Sequence, residues 1–342
     1  MQKDTMLFDE KKTPLLLHET SEDQHFDFHP KTFEQYLGQK ELKEKLYVYT
    51  TAARMRNEPL DHLLLFGPPG LGKTTLAQIM AHVMNTNIRI CSGPMLERTG
   101  DLVALLTALG PRDILFIDEI HRIPIAIEEV LYSAMEHFKV DVIIGQGAGA
   151  QSITIPLNPF TLLGATTKAG MLSAPLRSRF GIIERLDFYQ EEELQAIVLQ
   201  SAGFLALKLS PEAAAYIATA SRGTPRIAKR IVRRIRDFTQ ALNKQPTDDI
   251  IKEGLAFLSL DEEGLTPIDH MILRTLLTKF NGGPAGLETI ASLVGEDAET
   301  LEEAYEPFLL RKGYLEKTSR GRQIPHNKIA YMKNKFLGQC SL

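Results

Sequence analysis

Gly67-Pro68-Pro69-Gly70-Leu71-Gly72-Lys73-Thr74 follows the apolar run Leu63-Leu64-Leu65-Phe66 and precedes a helical pattern from Thr75 to about Met84. The stretch fits G-x-x-x-x-G-K-[ST] in the setting that gives this pattern meaning: strand, glycine-rich loop, helix. Glycines at 67, 70 and 72 let backbone N–H groups turn inward around a phosphate, and the N-terminus of the next helix points its partial positive charge at the same place. On this reading Lys73 reaches the β- and γ-phosphates and Thr74 ligates Mg²⁺, with Gly70, Gly72 and Thr75 lining the same cradle. A Gly/Pro turn ahead of a helix is the bland alternative, and the strand and helix on either side argue against it. The chain is expected to bind a nucleoside triphosphate.

Composition sets the frame around this loop. A chain of 342 residues, 44% apolar, has room for two or three cored domains at roughly 100–200 residues each. No run approaches the roughly 18 consecutive apolar residues of a membrane span, and Met1–Thr20 mixes Lys, Asp and Glu without a signal-peptide core. A cytoplasmic location is expected. Cys91 and Cys340, far apart and outside any C-x-x-C spacing, indicate neither a zinc site nor a disulfide framework. A net charge of −4 argues against indiscriminate coating of nucleic acid, so any such contact must be local.

Ahead of the loop, Met1 to about Glu22 is charged and aperiodic and reads as a mobile tail. Phe26 to Gln39 is extended around Pro30, and a helix is expected from Lys40 to Arg56, with Leu42, Leu46 and Tyr49 at helical spacing. Beyond the loop come a short strand, Asn87–Cys91, and a helix near Asp101–Leu109. Asp113-Ile114-Leu115-Phe116-Ile117-Asp118-Glu119 then reads as a strand buried on both faces and ending in two acids, at the strand end where α/β sheets bind ligands. Asp118 would hold Mg²⁺ through its water shell and Glu119 would polarise the attacking water. Asp118-Glu119-Ile120-His121 also spells the box of a different helicase class, but that class needs a second nucleotide-binding fold, and the second half of this chain lacks the strand–helix alternation to build one.

Val140–Ile144 and Ser152–Pro156 alternate around Gly145–Ala150, which predicts a β-hairpin with Ile153 and Ile155 exposed on one face as a partner site. Phe160–Thr167 is another buried strand; a hydroxyl at its end, Thr166 or Thr167, can bond the γ-phosphate or its attacking water. Arg177 and Arg179 follow Pro175. From Glu191 to Leu258 four helices without strands make a small helical domain, in which Arg226, Lys229, Arg230, Arg233, Arg234 and Arg236 read as a solvated or subunit-facing stripe. After the polar linker Ser259–Gly264, three helices (Pro267–Phe280, Leu287–Val294, Asp297–Lys312) and a hairpin around Ser319–Arg322 form a winged helix. Basic residues dominate from Arg311 onward, and Lys317, Arg320 and Arg322 on the wing would contact DNA phosphates.

The order of Gly67–Thr74, Ile117-Asp118-Glu119-Ile120-His121-Arg122, Gly164-Ala165-Thr166-Thr167, Pro175-Leu176-Arg177-Ser178-Arg179-Phe180-Gly181 and Arg222-Gly223-Thr224-Pro225-Arg226 resembles the AAA+ ATPases. Within them it is similar to the RuvB family of bacterial Holliday-junction motors, from about Phe28 to Arg322. The resemblance implies an α/β fold: an AAA+ P-loop parallel-sheet ATPase domain (25–188, after a tail over 1–24), a small all-helical lid (189–259) and a C-terminal winged helix (260–342). It implies that Arg179 is a finger presented to the adjacent subunit, that Thr167 is catalytic with Asp118 and Glu119, and that Arg226 is a second γ-phosphate sensor. Tyr189 would line the adenine pocket with Phe28 and His29, and Glu136, His137 and Phe138 complete the implied nucleotide contacts. Family members more usually carry Arg beside Pro30, so His29 is a departure. The implied partners are duplex DNA and Holliday junctions, a RuvA-type junction-binding protein meeting the hairpin, a junction resolvase complex, and further copies in a homohexamer. A clamp loader would usually carry a Ser-Arg-Cys box, absent here, and a non-hydrolysing promoter switch has little need of Glu119 or Arg179.

Overall fold

A computed structural model describes residues 28–144 and 151–338. The expected tail, the Gly145–Ala150 loop and Cys340 lie outside these residues. The chain divides into two compact units. One is Phe28–Glu193 with Thr224–Arg226; the other is Leu194–Gly223 with the chain from Ile227 onward.

The first unit opens with α1 (Lys40–Arg56) and is built on β1 (Leu63–Phe66), α2 (Lys73–Met84), β2 (Ile88–Ser92), α3 (Thr99–Thr107), β3 (Ile114–Asp118) and α4 (Ile125–His137). It continues through the antiparallel hairpin β4 (Lys139–Ile144) and β5 (Gln151–Pro156), then β6 (Thr161–Thr166), α5 (Ala174–Ser178) and β7 (Ile182–Arg185). Five strands pair in parallel in the order β2-β3-β6-β1-β7. The apolar runs occupy the middle of the sheet: Leu63, Leu64, Leu65, Leu115, Phe116 and Leu162 have no exposed surface, as strands covered on both faces require. The two edge strands are only partly covered. Because β6 lies between β3 and β1, with Ile117 level with Gly164 and Phe66 level with Thr166, the residues that follow all three strands emerge side by side.

Apart from the first residues of α6 (Glu191–Phe204) and α8 (Pro225–Ala241), which belong to the first unit, these two helices lie in the second unit and form the helical domain with α7 (Pro211–Ala220) and α9 (Asp248–Phe257). The stripe on α8 is not uniformly solvated: Arg230 and Arg233, three apart and therefore on one face, are 8% and 5% exposed. Then come α10 (Pro267–Lys279), α11 (Leu287–Val294), α12 (Ala298–Thr300), a π-helical turn (Leu301–Tyr305), α13 (Glu306–Arg311), the wing strands β8 (Glu316–Thr318) and β9 (Gly321–Gln323), and α14 (Ile329–Leu337). The third helix, expected as one piece, is widened at the π turn, because Pro307 has no N–H to return to the preceding turn. Ile272, Leu276, Ile290, Leu301, Phe308 and Met332 close the winged-helix core.

Within this unit the end of the helical domain is pinned to the winged helix. Arg222, which follows α7 in the left-handed backbone region (φ 54°), donates from Nη2 to Asp269 Oδ1 at 3.1 Å, with side chains 3% and 0% exposed. Its guanidinium lies 4.5 Å from the Phe308 ring centroid. Asp269 also accepts from the N–H and hydroxyl of Thr266, both at 2.7 Å, so it closes the capping box of α10 as well. Removing one member of a buried pair leaves the other charge uncompensated. Asp269→Ala is therefore expected to destabilise this unit by about 3–5 kcal/mol, read as a lowered denaturant midpoint. Leu293→Ala, at a half-exposed position of α11, should change stability far less.

Candidate functional site

The glycine-rich loop is shaped by what touches it. Lys73, the first residue of α2, is 8% exposed, and its ammonium donates to the carbonyls of Gly67 (2.8 Å) and Pro68 (2.9 Å). No side chain caps the start of α2, so the first N–H groups of the helix, among them those of Thr74 and Thr75, keep their direction toward the loop. Gly72 has φ 98°, and a Cβ there would sit 2.7 Å from the Tyr36 hydroxyl. The Tyr189 hydroxyl donates to that of Tyr36 at 2.7 Å, and Tyr36 donates to the Leu71 carbonyl at 3.0 Å. Burial raises both phenols above their ordinary range, so they stay protonated donors. Tyr189 thus reaches the loop from beneath Leu71. Tyr36 belongs to the site although no motif marks it.

The strand ends add charge and hydroxyls. Asp118, half-buried at the end of β3, accepts the Glu119 N–H through Oδ1 at 2.9 Å. Glu119 takes a left-handed backbone (φ 50°), and its Oε2 lies 3.4 Å from His121 Nε2. Thr166 ends β6 fully buried, 2.9 Å from His121 Nδ1, whereas Thr167, just beyond the strand, is partly exposed. Arg226 is brought to the loop by its backbone, whose N–H donates to the Gly70 carbonyl at 3.3 Å. A Cβ on Gly70 would lie 3.0 Å from that of Arg226, so this approach needs glycine. Lys73, Thr74, Asp118, Glu119 and Arg226 share one unit, and the charges of Asp118, Arg226 and Glu119 are all felt at Lys73. The arrangement offers fixed donors and cations to a polyphosphate and a carboxylate beside them for a water nucleophile. Mg²⁺ is commonly held by one or two protein oxygens plus water and phosphate, and the Asp118 carboxylate and the Thr74 hydroxyl are oxygens of that kind.

Phe28 is partly buried and His29 exposed. Arg179 forms a second group with α4: its guanidinium pairs with Glu136 at 3.1 Å, donates to the Pro175 carbonyl at 2.7 Å and lies 4.4 Å from the Tyr132 ring centroid. His137, also exposed, ends α4 beside Glu136. Phe138 packs its ring on Phe160 and His62, with centroids 5.9 and 6.4 Å away. Of the two hairpin isoleucines expected in solvent, Ile153 is exposed (46%). Ile155, expected beside it in solvent, sits opposite the fully buried Val140 and packs on the core, because the shared face of the hairpin turns inward at its base.

On the wing, Lys317 and Arg322 already have acidic partners. Glu306, with no exposed side-chain surface, pairs with Arg322 and with Lys317 (2.8 Å), while Glu302 pairs with Arg322 at 3.1 Å and Lys317 at 3.0 Å. Arg320, at the turn between β8 and β9, is exposed.

Three family models match in succession: the Holliday junction DNA helicase RuvB P-loop domain over 28–186, the RuvB AAA lid domain over 189–261 and the RuvB C-terminal winged helix domain over 262–333. The Holliday junction branch migration complex subunit RuvB of Staphylococcus haemolyticus is 49% identical over 327 residues, 95% of this chain and 99% of that one. Its counterpart in Enterococcus faecalis is 52% identical over 294 residues, 86% and 87% of the two chains. Among solved structures, the Thermotoga maritima RuvB Holliday junction branch migration motor matches with a TM-score of 0.80 and 46% identity, covering 89% of this chain and 98% of that one.

Burial pushes the Lys73 ammonium down to about 8, with Arg226 adding to the effect and Asp118 and Glu119 opposing it. Phosphate favours the charged form, so nucleotide binding should take up close to one proton at pH 9 and almost none at pH 7. Calorimetry in buffers of different ionisation enthalpy measures this. In the empty protein the sign follows from linkage: between about pH 8 and the ordinary lysine value near 10.4 the unfolded chain binds the proton that the folded one has lost. The contribution of Lys73 to stability therefore rises with pH across that window.

Proposed function

The chain belongs to the RuvB family, and from that premise we propose that it is the motor subunit that couples ATP hydrolysis to branch migration of Holliday junctions in recombination and repair. The observation that carries this reading is the convergence of Gly67–Thr74, Asp118–Glu119, Thr166–Thr167 and Arg226 within one compact unit, on a chain that also carries a winged helix. Lys73 and the amides at the start of α2 bind the phosphates of ATP, Glu119 orients the attacking water, and Thr167 and Arg226 contact the γ-phosphate. Thr74 and Asp118 are the residues that would hold Mg²⁺, which, when bound, neutralises charge developing on the phosphate oxygens. Attack is in line on the γ-phosphorus, with ADP as leaving group.

Arg179 completes the site of a neighbouring copy in a hexameric ring; within its own chain it rests on Glu136 and Tyr132, poised at the surface by a pair that an incoming phosphate can replace. A RuvA-type junction-binding protein docks on the hairpin through Ile153, and a junction resolvase joins the same assembly. Arg320 supplies the direct phosphate contact at the wing tip, while Lys317 and Arg322 hold the wing in shape. Among the described residues no helix is long and apolar enough to cross a membrane, and the working location of the motor is the cytoplasm.

Glu119→Gln is expected to leave ATP binding intact and lower junction-stimulated hydrolysis by at least about 10²-fold; unimpaired turnover would refute the assignment. Arg179→Ala should lose on the order of 10³-fold or more. Mixing it with Glu119→Gln subunits, which keep the finger, should restore part of the rate, whereas an arginine acting within its own chain would give no restoration. For the wing, Arg320→Ala should weaken duplex binding and flatten its salt dependence by about one unit of slope. Arg322→Ala should instead lower the stability of the winged helix.

A further inference from the structure

His121 follows β3 in the short turn Ile120–Arg122, and its side chain is 4% exposed. Its two ring nitrogens face two different parts of the site. Nδ1 lies 2.9 Å from the Thr166 hydroxyl and Nε2 3.4 Å from the Glu119 carboxylate. The Thr166 hydroxyl accepts the N–H of Lys168 at 2.9 Å and has one hydrogen of its own to donate. In the tautomer in which Nδ1 accepts that hydrogen, Nε2 carries the ring hydrogen on the side where Glu119 lies.

The backbone of Glu119 is tightly set. It lies in the left-handed region, and its carbonyl packs so closely on Gly93 that a Cβ there would come within 2.4 Å. Its carboxylate is about a third exposed, and the partner described for it is His121. The backbone therefore fixes where the side chain starts, and His121 decides where it ends. We propose that Thr166 and His121 form a relay from the end of β6 that sets the direction of the Glu119 carboxylate, which makes His121 a positioning residue for hydrolysis. Thr167, the next residue on the same strand end, is the candidate contact to the γ-phosphate. A phosphate that shifts this strand end moves Thr166 with it, and the ring passes the shift from its hydrogen bond with Thr166 to the carboxylate it faces at 3.4 Å.

The inference rests on the reading of Glu119 as the residue that orients water, and the experiment separates the two. Turnover, KM and affinity for a non-hydrolysable ATP analogue are measured for Thr166→Val, Thr166→Ser, His121→Ala and the Thr166→Val/His121→Ala double variant, beside Glu119→Gln. Thr166→Val keeps the shape of the buried side chain and removes the hydroxyl. Expected is analogue affinity within about twofold of the parent with kcat lowered about 10²-fold, the scale of a misdirected catalytic group. Thr166→Ser should return most of the rate, and the double variant should lose no more than the larger single loss, because both changes break one relay. A Thr166→Val protein that binds the analogue and turns over at the parent rate would overturn the relay, as would losses that add. Should His121→Ala fail to fold, the contrast between Thr166→Val and Thr166→Ser decides alone. If Glu119→Gln hydrolyses ATP normally, the reading of Glu119 itself fails; if Glu119→Gln is inactive while Thr166→Val is fully active, only the relay fails.

Discussion

A buried ammonium bonded to two backbone carbonyls is the contact from which the nucleotide site is built. Lys73 holds the carbonyls of Gly67 and Pro68, and a charge kept out of water is costly unless its donors are used. The loop must therefore curl back over the first residue of α2, which obliges its glycines to take left-handed conformations and brings Gly72 against Tyr36. The two phenols under Leu71 hold this curl from the other side. Burial also leaves the ammonium short of solvation, so an arriving phosphate meets a cation that gains more from it than an exposed lysine would.

What the sequence disclosed and what it concealed follow from the range of the interactions involved. The glycine-rich loop, the acidic strand end and the wing are local patterns whose spacing carries the chemistry, and each lies where its pattern predicts. Tyr36 was legible only as part of an extended segment, because its role depends on Tyr189, 153 residues away. The edge strand β7 is half-exposed and only four residues long, too short to show a period. No clear pattern marks the helices α4 and α14: Ile125–His137 follows a proline inside a mixed run, and Ile329–Leu337 lies beyond the expected hairpin. The basic run of α8 reads as a solvated or subunit-facing stripe, and composition does not tell which of its cations are covered: Arg230 and Arg233 are buried.

The wing shows how a count of charge can overstate what is available to a ligand. Four of the contacts made by Lys317 and Arg322 go to Glu302 and Glu306, so two of the three cations that the sequence marks for DNA are also parts of the scaffold. A buried glutamate between them sets the angle of the hairpin and leaves Arg320 at its tip. Nonspecific grip on a sliding duplex is better served by few, exposed cations on a stiff support than by many whose displacement costs structure.

Arg222 and Asp269 carry a different kind of consequence. Two residues far apart in the chain, in what the sequence divides into separate domains, are locked into one charge pair away from solvent. Neither can be exchanged alone without stranding the other. Over generations the helical domain and the winged helix are thereby tied as one heritable piece: grafting a foreign winged helix onto this chain, or shuffling the two by recombination at the linker, succeeds only where the incoming module brings its own carboxylate to meet that arginine.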